Sequence, residues 1–102
     1  MKYLLVLQGP ASSEADFNEL VEMEDELELF LDENASADGH DFGSGEMNIF
    51  IETDQPERTF DEAGTILSTR SRWTDVRAAH REQLGESYTV LWPSGQTEFE
   101  IK

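Results

Sequence analysis

The densest group of side chains capable of chemistry lies in residues 38–48 of this chain. His40 and Asp41 supply an imidazole and a carboxylate, the smallest set of groups that can perform general acid and base catalysis. Glu46 and Asn48 follow a glycine-rich turn, so a β-hairpin could bring them close to the first two. These four residues are the candidate catalytic or small-molecule-binding site.

The same stretch also has a purely structural interpretation. Residues 43–45 read Gly-Ser-Gly and suit a tight turn, where Asp41, Glu46 and Asn48 could accept hydrogen bonds from backbone amides. The spacing of Asp38, His40, Asp41 and Glu46 matches neither a calcium loop nor a zinc motif. The sequence therefore predicts no metal and no other cofactor.

A strong and uneven negative charge is the second informative feature. The chain has 23 acidic residues against seven Lys and Arg, for a formal charge of −16. Such a charge repels phosphate groups, which argues against nucleic-acid and membrane binding. Residues 14–33 hold ten acids and no base, whereas residues 70–81 hold four arginines and one acid.

The acidic segment predicts an interaction surface, because a strong field speeds association with positively charged proteins. The candidate partner-binding residues on this first helix are Glu19, Glu22 and Glu26. Trp73 joins them, because exposed aromatic residues near arginines often contribute binding energy. A simple solvated surface and adaptation to high salt are the competing interpretations of the charge.

Local patterns predict the first half of the fold. Residues 2–8 form an apolar run typical of a buried central strand, and residues 14–31 have helical apolar spacing after a capping box from Ser13 to Asp16. Residues 34–43 and 46–53 read as a hairpin, with Met47, Ile49 and Ile51 facing the helices.

The second half predicts a helix over residues 54–68, begun by an acidic cap at Asp54, and a shorter helix over residues 74–84. Residues 88–92 and 97–101 read as strands, the last one an edge strand. The resulting class is α+β, a ferredoxin-like βαββαβ sandwich with an extra short helix and a C-terminal β-hairpin extension, as one domain over residues 1–102.

Such a sandwich leaves one face of its sheet open, with Asn48 and Phe50 on it. An open apolar face is commonly closed by a second subunit, so a homodimer through this face is predicted. Trp92 is expected in the core. The absence of cysteine, and of a long apolar segment near the start, favours the cytoplasm.

Residues 39–51 (GHDFGSGEMNIFI), together with Asp54, Pro56 and the later YTVLWP of residues 88–93, resemble a group of short uncharacterised bacterial proteins. The resemblance spans most of the chain and implies a small cytosolic bacterial protein. It brings no activity, cofactor or functional residue with it.

The residues themselves favour a non-enzymatic binding or regulatory protein that docks a basic protein partner through its acidic first helix. The alternative is a small-molecule-binding domain or small enzyme centred on His40, Asp41, Glu46 and Asn48.

Overall fold

The computed structural model describes residues 1–96 and 98–101. They form an α+β structure with two helices and one five-stranded antiparallel sheet of order β2-β3-β1-β4-β5. The elements in chain order are β1 (Tyr3–Pro10), α1 (Glu14–Phe30), β2 (Ala35–Gly43), β3 (Glu46–Thr53), α2 (Pro56–Leu67), a 3₁₀ helix (Ser71–Asp75), β4 (Arg77–Glu82) and β5 (Thr89–Trp92).

The apolar first strand lies in the middle of the sheet, as predicted. It pairs with β3 on one side and with β4 on the other, and its residues 4–9 are all buried. Because side chains alternate along a strand, Leu5 and Leu7 face the helices while Leu4 and Val6 face the other side. The sheet thus has two distinct faces.

Helix α1 begins with the predicted capping box. The Ser13 hydroxyl accepts a hydrogen bond from the Asp16 backbone N–H at 3.1 Å, and the Asp16 carboxylate accepts one from the Ser13 N–H at 3.2 Å. The helix buries a row of large side chains against the sheet, where Met47, Ile49 and Ile51 meet them as predicted. This row is formed by Leu20, Met23 and Leu27.

The predicted hairpin is also confirmed. Its two-residue turn is Ser44-Gly45, and both residues have positive φ angles, 55° and 79°. Such angles suit the right-handed twist of the flanking strands and favour glycine. The turn sets the register by pairing Gly43 with Glu46 and Asp41 with Asn48.

Helix α2 starts one residue later than the acidic cap predicts. Pro56 occupies the first turn and Gln55 is the N-cap, without a side-chain cap bond. The Asp54 carboxylate instead accepts a hydrogen bond from the Lys2 backbone N–H at 2.8 Å. The prediction of Asp54 as the cap was wrong because its side chain joins the helix start to β1.

The prediction of a short helix over residues 74–84 was wrong. The structure has the 3₁₀ helix followed by β4, whose Ala78 and Ala79 are both fully buried. A central strand has unpaired backbone groups on both edges, and β3 satisfies only one edge of β1. Pairing of residues 77–82 with the other edge outweighs their helical apolar spacing, and it leaves Leu84 fully exposed.

This change alters the strand order, so the ferredoxin-like arrangement is not confirmed. The prediction placed residues 88–92 in the closing strand of the sandwich. They do form a strand, β5, but it pairs with β4 at the sheet edge. Beyond it, Thr97 of the predicted last strand lies outside the described residues, and residues 98–101 have no strand structure.

The C-terminal segment, residues 98–101, touches the sheet face that was predicted to be open. Gln8 donates a hydrogen bond to the Glu100 carbonyl at 3.0 Å, and the Phe99 ring packs 5.1 Å from the ring of Tyr88. Asn48, whose side chain bonds to Gln8 on the same face, is only 2% exposed. Part of this face is therefore covered by the chain itself.

Within the described part of the chain, neither helix has the length and apolar character needed to cross a bilayer.

Candidate functional site

The four residues of the predicted hairpin site lie on different faces of the sheet. His40 is paired with Ile49, a core residue on the helix face, whereas Asp41 is paired with Asn48 on the opposite face. Directly paired residues of an antiparallel ladder point to the same side. His40 is therefore separated by the sheet from Asp41, Glu46 and Asn48, and the structure does not bring the four together.

On the helix face, His40 has a partner that the sequence did not indicate. Its Nδ1 lies 3.2 Å from Oε1 of Glu24 on α1, and its ring packs edge-on against Phe17 at 5.8 Å. The side chain of Glu24 is only 15% exposed. The pair has the groups needed for proton transfer. Its position beside the Phe17 ring equally suits a purely structural contact that holds β2 against α1.

On the opposite face, Glu46 and Asn48 belong to a buried polar row. The Asn48 side-chain oxygen accepts a hydrogen bond from Gln8 at 3.0 Å, and Oε1 of Glu46 pairs with Arg77 at 3.1 Å. The Glu46–Arg77 pair borders a cavity of about 580 Å³ beneath the C-terminal segment. In the described residues, no group of three or more His, Asp or Glu side chains is arranged to hold a metal ion.

The acidic helix has one side that faces arginines. Arg72 bonds to the carboxylates of Asp16 and Glu19, the latter at 3.0 Å, and to the Pro10 carbonyl at 2.8 Å. Arg70 bonds to Glu26 and, at 3.3 Å, to Glu19. We call Asp16, Glu19, Glu26, Arg70 and Arg72 the arginine clamp.

Asp16, Glu19 and Arg70 of the clamp have shifted pKa values. Backbone amides of Ser12 and Ser13, followed by Arg72, hold the pKa of Asp16 far below its usual range. A hydrogen bond from Arg72 lowers the pKa of Glu19, and the bond with Glu26 raises the pKa of Arg70. Through these bonds the clamp joins α1 to the segment after α2.

Two of the predicted partner-binding residues, Glu19 and Glu26, are thus already engaged within the chain. The third, Glu22, is different: its side chain is 67% exposed, and it lies 3.7 Å from Arg70. Asp25 and Glu28 are exposed as well and have no basic partner among the described residues. We call Glu22, Asp25 and Glu28 the outward acidic row.

Two large apolar side chains stand beside this row. Leu29 is 76% exposed and Phe30 is 67% exposed, both at the C-terminal end of α1. Burying such side chains is worth roughly 1.5–3 kcal/mol each, which is lost while they face water. The end of α1 therefore combines apolar groups with exposed carboxylates.

The two tryptophans lie together at another surface. Trp73 packs against Phe60 of α2 with ring centroids 5.8 Å apart, and Trp92 is 50% exposed, so its expected place in the core was wrong. Both rings line a groove of about 680 Å³ with Phe60 and Asp61. We call this the aromatic groove. Trp73 thus lies here and not beside Glu22.

His80 lies on β4 instead of a helix. Its ring meets Tyr3 edge-on at 5.6 Å, and burial lowers its pKa. A neutral imidazole at this position suits packing between the sheet and the start of α2.

Comparison of the chain with models of known protein families, with curated proteins and with solved structures finds no match.

Proposed function

We propose that this chain is a non-enzymatic binding or regulatory protein that docks a basic protein partner through the outer surface of α1. The observation that carries the proposal is the outward acidic row beside exposed Leu29 and Phe30. Protein interfaces commonly combine a few apolar anchors with a charged rim. Here the apolar side chains would supply contact area, and the carboxylates would steer a basic partner.

The distribution of arginines supports this surface. Four of the five arginines form ion pairs with carboxylates inside the chain, and Arg81 bonds to backbone carbonyls and Tyr88. The five arginines are therefore engaged in contacts within the chain. The carboxylates of the outward acidic row keep their field for an external cation.

The test is an affinity capture from native lysate at low salt, with two matched variants beside the parent protein. The first, Glu22→Gln/Asp25→Asn/Glu28→Gln, neutralises the outward acidic row. The second, Asp75→Asn/Glu82→Gln/Glu86→Gln, removes three exposed charges elsewhere. We expect a specific basic protein that the parent and the second variant retain and the first variant loses.

An equal loss of capture in both variants would show that only the net charge matters. Undiminished capture in both would show that the outward acidic row is not needed. Either result would contradict the proposal. Loss of binding between low and high salt is expected in addition, because the Debye length falls from about 30 Å at 0.01 M to about 3 Å at 1 M. A partner whose affinity does not change with salt concentration would also contradict the proposal.

A small-molecule-binding or enzymatic role of the hairpin remains the alternative, now in a narrower form. His40 would act with Glu24, while Glu46 and Asn48 would belong to a separate cavity with Arg77. A ligand whose binding is lost in both His40→Ala and Glu46→Gln would favour the single site predicted from the sequence.

Two further proposals concern the architecture and the assembly. We propose that β1 to β4 with the two helices form a ferredoxin-like unit to which β5 adds an edge strand, supported by the antiparallel pairs β1-β3, β2-β3 and β1-β4. The homodimer through the opposite sheet face is a separate proposal. Sedimentation of the chain with and without residues 98–101 would test whether a second copy competes with the C-terminal segment.

A further inference from the structure

We infer that the aromatic groove binds a small organic cation with a methylated or quaternary ammonium group. The groove lies between α2, the 3₁₀ helix and the end of β5. It is distinct from the outward acidic row, and its role does not depend on the proposed protein partner.

The aromatic rings supply the first part of the argument. Trp73 and Phe60 lie 5.8 Å apart with ring planes inclined by 31°, and Trp92 is half exposed. The faces of aromatic rings carry partial negative charge, and tryptophan attracts cations more strongly than the other side chains do. Three such rings in one groove favour a cation that sheds its water easily, as a methylated ammonium does.

The charges of the lining supply the second part. Asp61 is the one charged residue among the described lining residues, and the other polar groups there are hydroxyls of Thr65, Ser68 and Thr74. A neutral apolar ligand would have to cover the Asp61 carboxylate without compensating it. A second copy of this chain would bring a formal charge of −16 to the same carboxylate. An organic cation would contact the faces of the aromatic rings and also neutralise the charge of the Asp61 carboxylate.

The shape of the groove depends on a close approach between α2 and the 3₁₀ helix. Gly64 has no side chain, and a Cβ placed there would lie 3.3 Å from Cζ2 of Trp73. This lets the indole lie against the helix surface, next to Phe60 and Asp61. The volume of about 680 Å³ is within the range of small-molecule sites, roughly 300–1,000 Å³.

The test uses intrinsic fluorescence, because the only two tryptophans of the chain both line the groove. The protein is titrated with choline and, separately, with 3,3-dimethylbutan-1-ol, which has nearly the same shape without the charge. Ionic strength is held constant with sodium chloride. We expect a saturable change with choline and binding at least about fivefold weaker for the neutral alcohol.

Three variants assign the signal. Asp61→Asn should weaken choline binding several-fold, whereas Asp38→Asn removes an equal charge from the opposite edge strand and should leave it unchanged. Trp92→Leu keeps an apolar side chain without a π face and should also weaken choline binding. Trp73 still reports in that variant.

Equal affinity for choline and the neutral alcohol would overturn the inference and leave a merely apolar groove. A response that rises linearly without saturation, or one that Asp38→Asn weakens as much as Asp61→Asn, would overturn it too. None of these results would affect the proposed docking surface on α1, which lies elsewhere and is tested with different variants.

Discussion

The two sides of helix α1 have similar acidic composition and opposite surroundings. On one side, Asp16, Glu19 and Glu26 meet two arginines from the segment after α2. On the other, Glu22, Asp25 and Glu28 face solvent beside exposed Leu29. A run of acids in the sequence can thus divide into a half that holds the fold together and a half that stays exposed to solvent.

The division follows from the helical period. Residues three or four apart share a side, so Glu19, Glu22 and Glu26 follow one another along the side near Arg70, with Glu22 at its solvent-exposed edge. Asp25 and Glu28 turn away from the arginines. Carboxylates that meet guanidinium groups gain bidentate and charge-assisted bonds. Of the outer carboxylates, Glu22 has only the longer contact of 3.7 Å with Arg70, and Asp25 and Glu28 have no ion pair within the described residues, so they add to the negative field.

The largest expected effect comes from breaking the clamp. Arg72→Met keeps much of the aliphatic volume but removes the partner of Asp16, Glu19 and the Pro10 carbonyl. Because the Arg72 side chain is only 17% exposed, we expect the free energy of unfolding, measured in urea, to fall by about 2 kcal/mol. This loss is smaller than that for breaking a fully buried ion pair.

The matched control is Arg58→Met. Arg58 also pairs with two acids, Asp32 and Glu62, but its side chain is 56% exposed. Its removal should lower the free energy of unfolding by less than about 1 kcal/mol. Equal losses for the two variants would contradict the distinction between the clamp and ordinary surface pairs.

A smaller effect is expected from acid. The pKa values of Asp16 and Glu19 lie below their ordinary values of 3.8 and 4.5 in the folded protein. As the pH falls, the unfolded chain therefore takes up protons at these groups before the folded protein does. The stability that they contribute is present above about pH 5 and is lost as the pH falls through and below 4.

Asp16→Asn should remove part of this dependence, since the amide cannot titrate. Thermal midpoints measured at intervals below about pH 5 should decline less steeply in the variant than in the parent protein. Parallel curves for the two proteins would show that Asp16 does not contribute to acid sensitivity.

The smallest effect is expected on the outer side. Glu22→Gln/Asp25→Asn/Glu28→Gln should leave the unfolding free energy unchanged or raise it by up to about 0.5 kcal/mol, because like charges on neighbouring turns repel. Urea titration beside the Arg72→Met variant gives the comparison directly. A loss similar to that of Arg72→Met would mean that the outer carboxylates also hold the fold.

Local signals in the sequence predicted much of the fold. The apolar run of β1, the Ser13–Asp16 capping box and the Ser44-Gly45 turn each determine their structure through nearby residues. Strand β4 could not be recognised in this way. Val76, Ala79 and His80 suit a helix locally, and only the unpaired edge of β1, distant in sequence, makes them a strand.

The candidate site was predicted less well, for two reasons. A two-residue turn pairs residue 43 with 46 and hence 40 with 49, so strand alternation already separated His40 from Asn48. The clamp, by contrast, joins residues 44 to 56 positions apart, such as Arg72 and Glu19. Charge complementarity between the two segments was visible, but which acids would be engaged required the packing of α1 against the rest.

The docking surface that we propose is the outer side of α1. The most direct measurement is a two-dimensional NMR titration of ¹⁵N-labelled protein with an arginine-rich peptide, at low salt. We expect amide shift changes to concentrate on the outer surface of α1, from Asn18 through Glu22 and Asp25 to Leu29, and to disappear in the variant Glu22→Gln/Asp25→Asn/Glu28→Gln. Changes centred on other surfaces, or unchanged in that variant, would contradict it.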